Sequence, residues 1–441
     1  MEESYRVQKI EAIKKIRVQV PGSKSITNRA LLLAALSDKR CTLRGVLFSD
    51  DSRGFLDCLV RLGFDVEIRE QEREVTIQGA GGKIPNSGMS GGAESVIDVR
   101  SAGTAARFLT VMLAFAGGDY ELTASPQMCR RPMQPLLDLL EQAGAAITYR
   151  GEKGHFPFHL SSDGMHMEEV SIDTGISSQF ASALMMSGAI LKKGLKVRLL
   201  GDRIEGAYIK LTFNIMKQFG IPIRREEDSY FIPPVKGFGV EEYLIEPDVS
   251  GACYFYAMAP LLKTNVIVKG VHMDCLQGDI KFLEALRNMG CDLKDGNEGV
   301  VVDGSSLESY PGTALSMKDF SDQTMTMAAL APFAETPTLI KNIGHIRMQE
   351  SDRLKAILTE LKRMGISCEE VPEEHGLIIY PGKVKETEVE TYEDHRMAMA
   401  FTLIGLRAGG ITIKNPGCCK KTFENYFQLI DDLTAESKKG C

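Results

Sequence analysis

The chain has 441 residues and 44% apolar content, enough for two or three domains with sizeable cores. Its 52 Lys and Arg are outnumbered by 59 Asp and Glu, giving a net charge of −7. That balance argues against general binding to nucleic acid or anionic membranes, so an anionic ligand must be met by a local cluster of cations. The charged N-terminal stretch has no signal-peptide pattern and no apolar run reaches about 20 residues. Ten cysteines without a CxxC pair are expected as reduced thiols, in a cytoplasmic protein.

In chain order, one pattern occurs six times: a polar turn opens a short apolar helix, a β-rich strand follows, and a second helix comes next. The turns are Ser23-Lys24-Ser25, Ser101-Ala102-Gly103, Ser177-Ser178-Gln179, Asp248-Val249-Ser250, Asp322-Gln323-Thr324 and Asp394-His395-Arg396. The second helices are expected over 53–62, 132–143, 210–219, 280–289, 354–364 and 423–433. The first five end on Gly63, Gly144, Gly220, Gly290 and Gly365, with a further strand after each. Strands alternating with helices indicate α/β architecture. The alternation of Val75-Thr-Ile-Gln suggests a half-wet face or mixed strand directions. Residues 16–20 alternate like a strand that could belong to either half, and 79–95 reads as a mobile Gly/Ser-rich loop. Six repeats divide into two domains of three, crossing near Glu246-Pro247, with a second candidate crossing at Val20-Pro21-Gly22.

Chemistry-bearing residues concentrate where these helices begin, where free N–H groups and the helix dipole attract anions. Lys24 and Arg29 sit at such a turn, but the GxxxxGK[ST] spacing of a nucleotide loop is absent, and Ser23 or Ser25 could simply cap the helix. Arg396 opens an otherwise apolar helix, where a cation is disfavoured unless it meets an anion. Glu350 and Arg353 could form an ordinary i,i+3 pair. Asp322 could be a cap, and the doublets Arg130-Arg131 and Lys420-Lys421 could be solvated. Their equivalent positions favour a shared role instead. Lys24, Arg29, Arg131, Arg353, Arg396 and Lys421, with Asp322 and Glu350 beside them, suggest a cleft between the domains for a polyanionic ligand. No HExxH or GxGxxG pattern supports a metal or a dinucleotide.

Several motifs, in order, carry a resemblance over nearly the whole chain. They are Pro21-Gly-Ser-Lys-Ser with Asn28-Arg-Ala, Ala102-Gly-Thr with Arg107, Arg131-Pro-Met, Ser177-Ser-Gln, Gln277-Gly-Asp, Glu350-Ser-Asp-Arg, Asp394-His-Arg-Met-Ala-Met and Lys421-Thr-Phe. The chain resembles the 5-enolpyruvylshikimate-3-phosphate synthase family. The resemblance implies the enolpyruvyl transferase fold, two similar domains each of three βαβαββ units with helices inside and sheets outside. It places the first domain at 22–245, mostly on the shikimate 3-phosphate side. The second comprises 1–21 and 246–441, with the catalytic carboxylates and phosphoenolpyruvate cations. The implied reaction moves the enolpyruvyl group of phosphoenolpyruvate to the 5-hydroxyl of shikimate 3-phosphate and releases phosphate. The implied enzyme is a monomer with no cofactor, no metal and no partner beyond these two small molecules.

By the same resemblance, Lys24, Ser25, Arg29, Ser177, Ser178, Gln179, Tyr208, Asp322, His345 and Gln349 would hold shikimate 3-phosphate. Phosphoenolpyruvate would meet Lys24, Gly103, Arg131, Gln179, Glu350, Arg353, Arg396 and Lys421. Asp322 would take the hydroxyl proton, Glu350 would handle the methylene proton, and Lys24 would assist. Ser101, Glu205, His345 and Gln349 depart from the family pattern; Gln349 stands where lysine is usual. Members of the family are inhibited by glyphosate, and tolerance often follows a side chain added at the position of Gly103. Two other readings remain. One is transfer to UDP-N-acetylglucosamine, whose enzymes share the fold and use a catalytic cysteine, with Cys129 in a comparable stretch. The other is a non-catalytic, anion-binding repeat scaffold.

Overall fold

The computed structural model describes residues 3–88, 95–175, 177–201 and 206–439. The chain forms two compact units, Gly22–Ile245 and Met1–Pro21 with Glu246–Cys441. Where the chain crosses, Asp248 N–H donates to the Pro21 carbonyl at 2.8 Å.

In the unit Gly22–Ile245 the first helices are Lys24–Leu36, Gly103–Ala116 and Ser178–Gly188. Each is mostly apolar and almost wholly buried, its few polar side chains included. They pack on one another at the centre. Three four-stranded sheets lie outside them. Glu169–Asp173 shows the outward arrangement, with Val170 and Ile172 buried and the residues between them exposed. In two of these sheets, two strands joined through a first helix are parallel, such as Ser95–Asp98 with Gly118–Thr123. The hairpin after the second helix adds two antiparallel strands. The unit's last strand, Glu242–Leu244, returns to pair in parallel with Arg40–Arg44 and completes the first sheet.

The other unit repeats this plan. Lys15–Val18 pairs in parallel with Asn265–Val268, so the N-terminal strand belongs here. Among the described residues the sixth sheet has three strands, Ser4–Arg6, Ile411–Lys414 and Thr387–Val389. Ser4–Arg6, read from sequence only as a charged tail, fills one edge antiparallel to Ile411–Lys414.

Gly63, Gly144, Gly220, Gly290 and Gly365 all take positive φ, the left-handed conformation that ends a helix and turns the chain into a strand. Helix starts moved more. The helix expected at 53–62 begins at Asp50, where Ser52 Oγ accepts from Ser49 N–H at 2.9 Å. The helix expected at 423–433 runs Tyr426–Lys439. The half-wet reading of Val75-Thr-Ile-Gln needs correction at Thr76. That residue is buried, its hydroxyl paired with that of Thr42 at 3.0 Å across the ladder. The loop 79–95 is pinned in its first half by Gly79 N–H to Lys39 O at 2.9 Å and Asn86 N–H to Leu62 O at 2.8 Å, while 89–94 fall outside the described residues.

Candidate active site

In the unit Gly22–Ile245, Ser23 is the residue that caps the first helix, its Oγ accepting from Ile26 N–H at 3.5 Å; Ser25 does not cap. Lys24 Nζ sits 2.7 Å from Asp51 Oδ2, which lies in the opening turn of the second helix. Arg29 is buried one turn further along. Its Nε donates to Thr212 Oγ1 at 2.7 Å and Nη1 to the Ser25 carbonyl at 2.9 Å. Its guanidinium lies over the rings of Phe108 and Tyr208 at 5.4 and 5.8 Å. Burial lowers its pKa to about 10, which leaves it charged at neutral pH; Tyr208 opposes the shift. Tyr208 therefore joins the Arg29 cluster.

Gly103 opens the next first helix, and the Arg131 guanidinium lies so close that a Cβ there would collide with it. Arg107, nearly buried, donates to the Gly103 carbonyl at 3.1 Å, and Gln179 Nε2 donates to Thr104 Oγ1 at 3.3 Å. The helix end, two guanidiniums and an amide thus share one place, a strong electrostatic setting for an anion. Ser177 caps the third helix through Gln179 N–H at 3.2 Å, and Ser178 begins it. Ser101 pairs its hydroxyl with that of Ser125 at 2.7 Å.

In the other unit the site is built on Arg353, 1% exposed. Its guanidinium meets Asp394 at 2.8 Å, Glu350 at 2.7 Å and Asp322 at 3.1 Å, and also donates to Gln349 Oε1. Burial alone would lower its pKa, but the three carboxylates outweigh that and hold it above the usual arginine value. The i,i+3 pair of Glu350 and Arg353 is therefore part of a buried network rather than a surface pair. Asp322 is not the cap read as its alternative role. It lies in the turn Ser321–Gln323, with one oxygen on Arg353 and the other 2.8 Å from Arg396. The helix that carries Arg396 is capped by Asp394, which accepts from Arg396 N–H at 3.0 Å. Arg396 sits at a helix N-terminus because Asp322 supplies the anion there. His345 Nε2 lies 2.8 Å from Ser321 Oγ, against the same turn. In both doublets one cation points out and the other is sheltered: Arg130 and Lys420 are exposed, Arg131 is half-buried and Lys421 is buried. Among the described residues neither Arg131 nor Lys421 has a carboxylate within ion-pair distance, so each remains available to an anion.

The model of the EPSP synthase (3-phosphoshikimate 1-carboxyvinyltransferase) family matches residues 7–430. The chain belongs to the EPSP synthase family. The 3-phosphoshikimate 1-carboxyvinyltransferase of Nostoc punctiforme is 39% identical over 411 residues, 93% of this chain and 94% of the relative. That of Photobacterium damsela is 36% identical over 434 residues, 98% and 100% of the two chains. The fold is that of the EPSP synthase from Acinetobacter baumannii, with a TM-score of 0.81, 24% identity and 98% of each chain covered.

In this EPSP synthase family member Cys129 is not set up as a reactive thiol. Its Sγ donates to the Ala124 carbonyl at 3.6 Å and burial pushes its pKa up, against the pull of Arg130. The described cysteines are all free thiols. No helix among the described residues is long and apolar enough to cross a membrane, and none of their His, Cys, Asp and Glu form a group of three that could hold a metal. Glu205 lies outside the described residues. Sequence reasoning missed Asp51, the partner of Lys24, and Thr212 and Ser182, which hold Arg29. Asp51 had a signal, since it lies at a helix start like the other ionic residues; Thr212 and Ser182 lie inside helices and had none.

Proposed function

We propose that the chain joins phosphoenolpyruvate to shikimate 3-phosphate through the residues described above. The observation that carries this reading is Asp322 held between Arg353 and Arg396, with Glu350 on the same buried guanidinium. Two fixed carboxylates are what addition followed by elimination requires. Asp322 takes the proton of the 5-hydroxyl as its oxygen bonds to the central carbon of phosphoenolpyruvate. Glu350 delivers a proton to the methylene carbon, then removes one as phosphate leaves and the enol re-forms. Lys24, Arg131, Arg396 and Lys421 balance the phosphate and carboxylate charges, with Arg353 orienting both carboxylates. Arg29, Tyr208, Ser25, Ser177, Ser178, Gln179, His345 and Gln349 hold shikimate 3-phosphate. The reading carries with it a monomeric, cytoplasmic enzyme with no resident cofactor.

The test is phosphate release from phosphoenolpyruvate with shikimate 3-phosphate or UDP-N-acetylglucosamine as acceptor. Release with the first alone is expected. Release only with the nucleotide sugar, or with neither, overturns the reading.

A further inference from the structure

A third carboxylate stands behind Asp322. Asp279, 6% exposed, follows the motif glycine of Gln277-Gly-Asp. No Lys, Arg or His lies within ion-pair distance of it among the described residues. Its Oδ2 instead accepts from Ser250 Oγ and from Gln323 Nε2, the latter at 3.2 Å. Gln323 is completely buried and directly follows Asp322 in the turn Ser321–Gln323. The other end of its amide accepts from Thr326 Oγ1 at 3.0 Å. The residue beside Asp322 is thus clamped between a carboxylate and a helix.

A buried carboxylate bonded only to neutral donors is costly to ionise, and a structural role alone would be served more cheaply by an amide. Burial, then the charge of Asp322, pushes the Asp279 carboxyl up to about 6; Arg396 and the bonds from Ser250 and Gln323 oppose this. The other titratable groups facing it are the thiols of Cys253 and Cys275, both raised by burial and neutral near pH 7. Coupling between Asp279 and Asp322 is reciprocal, so each carboxylate favours a proton on the other.

We propose that Asp279 is a positioning residue for the reaction, fixing through Gln323 the turn that presents Asp322 and strengthening Asp322 as a base by its negative charge. This rests on the reading of Asp322 as the base of the hydroxyl group.

The test is kcat against pH, from about pH 5 to about pH 8, for the full chain and two variants. In Asp279→Asn the amide keeps the bonds to Ser250 and Gln323 but carries no charge. The acid limb should move down by about half a pH unit or more, and the plateau kcat should fall several-fold, with both Michaelis constants nearly unchanged. In the wild type the limb is the ionisation of Asp279, which turns Asp322 into the stronger base; Ser250→Ala removes a bond that favours the ionised form, so Asp279 keeps its proton to higher pH and the limb should move up. Opposite shifts support the proposal. An Asp279→Asn limb coincident with wild type, or a Ser250→Ala limb that stays or moves down, overturns it. Wild-type turnover with shikimate 3-phosphate, and its loss in Asp322→Asn, checks the underlying reading separately.

Discussion

Arg353 and Asp394 form an ion pair at 2.8 Å in which neither side chain reaches solvent, at 1% and 0% exposure. The same carboxylate caps the helix that carries Arg396. One aspartate therefore aligns the Arg353 guanidinium and the helix end that carries Arg396. Asp394→Asn retains the cap, since asparagine caps as well as aspartate, but leaves Arg353 short of one charge. Breaking a buried pair from one side costs about 3–5 kcal/mol. A clear fall in the calorimetric Tm is expected; an unchanged Tm would mean that Asp322 and Glu350 alone satisfy Arg353.

Asp322→Asn and Glu350→Gln remove one proton acceptor each at nearly constant shape. Each should reduce phosphate release by roughly 100-fold or more, with Michaelis constants close to wild type. Near-normal turnover in either variant removes that residue from the mechanism.

The parts legible in sequence were those written locally. The helix ends at Gly63, Gly144, Gly220, Gly290 and Gly365 follow from backbone conformation, and the six first helices from their apolar runs. What escaped was non-local. Nothing near Ser4–Arg6 or Glu242–Leu244 announces that each completes a sheet formed far away in the chain. In the site, the ionic residues at helix starts were readable. Their pairing was not, because Asp322 meets Arg353 and Arg396 only through the packing of separate helices from two repeats, and Asp51 meets Lys24 across two helices.

Gln349 accepts from Arg353 Nη1. A lysine there cannot accept and is repelled by the guanidinium, so its ammonium must turn away from Arg353. In Gln349→Lys the Michaelis constant for shikimate 3-phosphate should fall by a factor corresponding to about 1 kcal/mol, while stability drops by about the same amount. A higher Michaelis constant would show that the ammonium does not reach that substrate.

Asp279 also has a stability signature. Its carboxyl titrates at about 6 in the fold against an ordinary 3.8. A raised folded pKa adds stability that is complete below the unfolded pKa and is lost as pH rises through the folded one. Above about pH 6 the wild type bears this loss and Asp279→Asn does not. The variant should be the more stable protein at pH 7 to 8, by up to about 3 kcal/mol, with the difference vanishing near pH 4. Urea unfolding at both pH values measures it. Equal stability at pH 7 would mean that Asp279 is not strained by its burial.

Gly103 governs the expected response to glyphosate. In this protein the position is glycine, so nothing added there blocks a phosphonate, and competitive inhibition against phosphoenolpyruvate is expected. Phe108 is buried and carries Arg29 on its ring, so it is bound up with the Arg29 cluster rather than with Gly103. A Cβ at residue 103 would strike the Arg131 guanidinium and approach Arg107 Nη1 to 2.9 Å. Both atoms are ends of long side chains, so Gly103→Ala should fold normally, with the cost falling on anion binding as Arg131 is displaced. An intrusion of one methyl costs about 1–3 kcal/mol. The inhibition constant for glyphosate should rise by roughly that energy, about 5- to 150-fold, with a smaller rise in the Michaelis constant for phosphoenolpyruvate because the shorter anion tolerates a displaced Arg131 better. Parallel steady-state inhibition assays on wild type and variant decide it, and an equal rise in both constants would place the methyl against a group that the two ligands share.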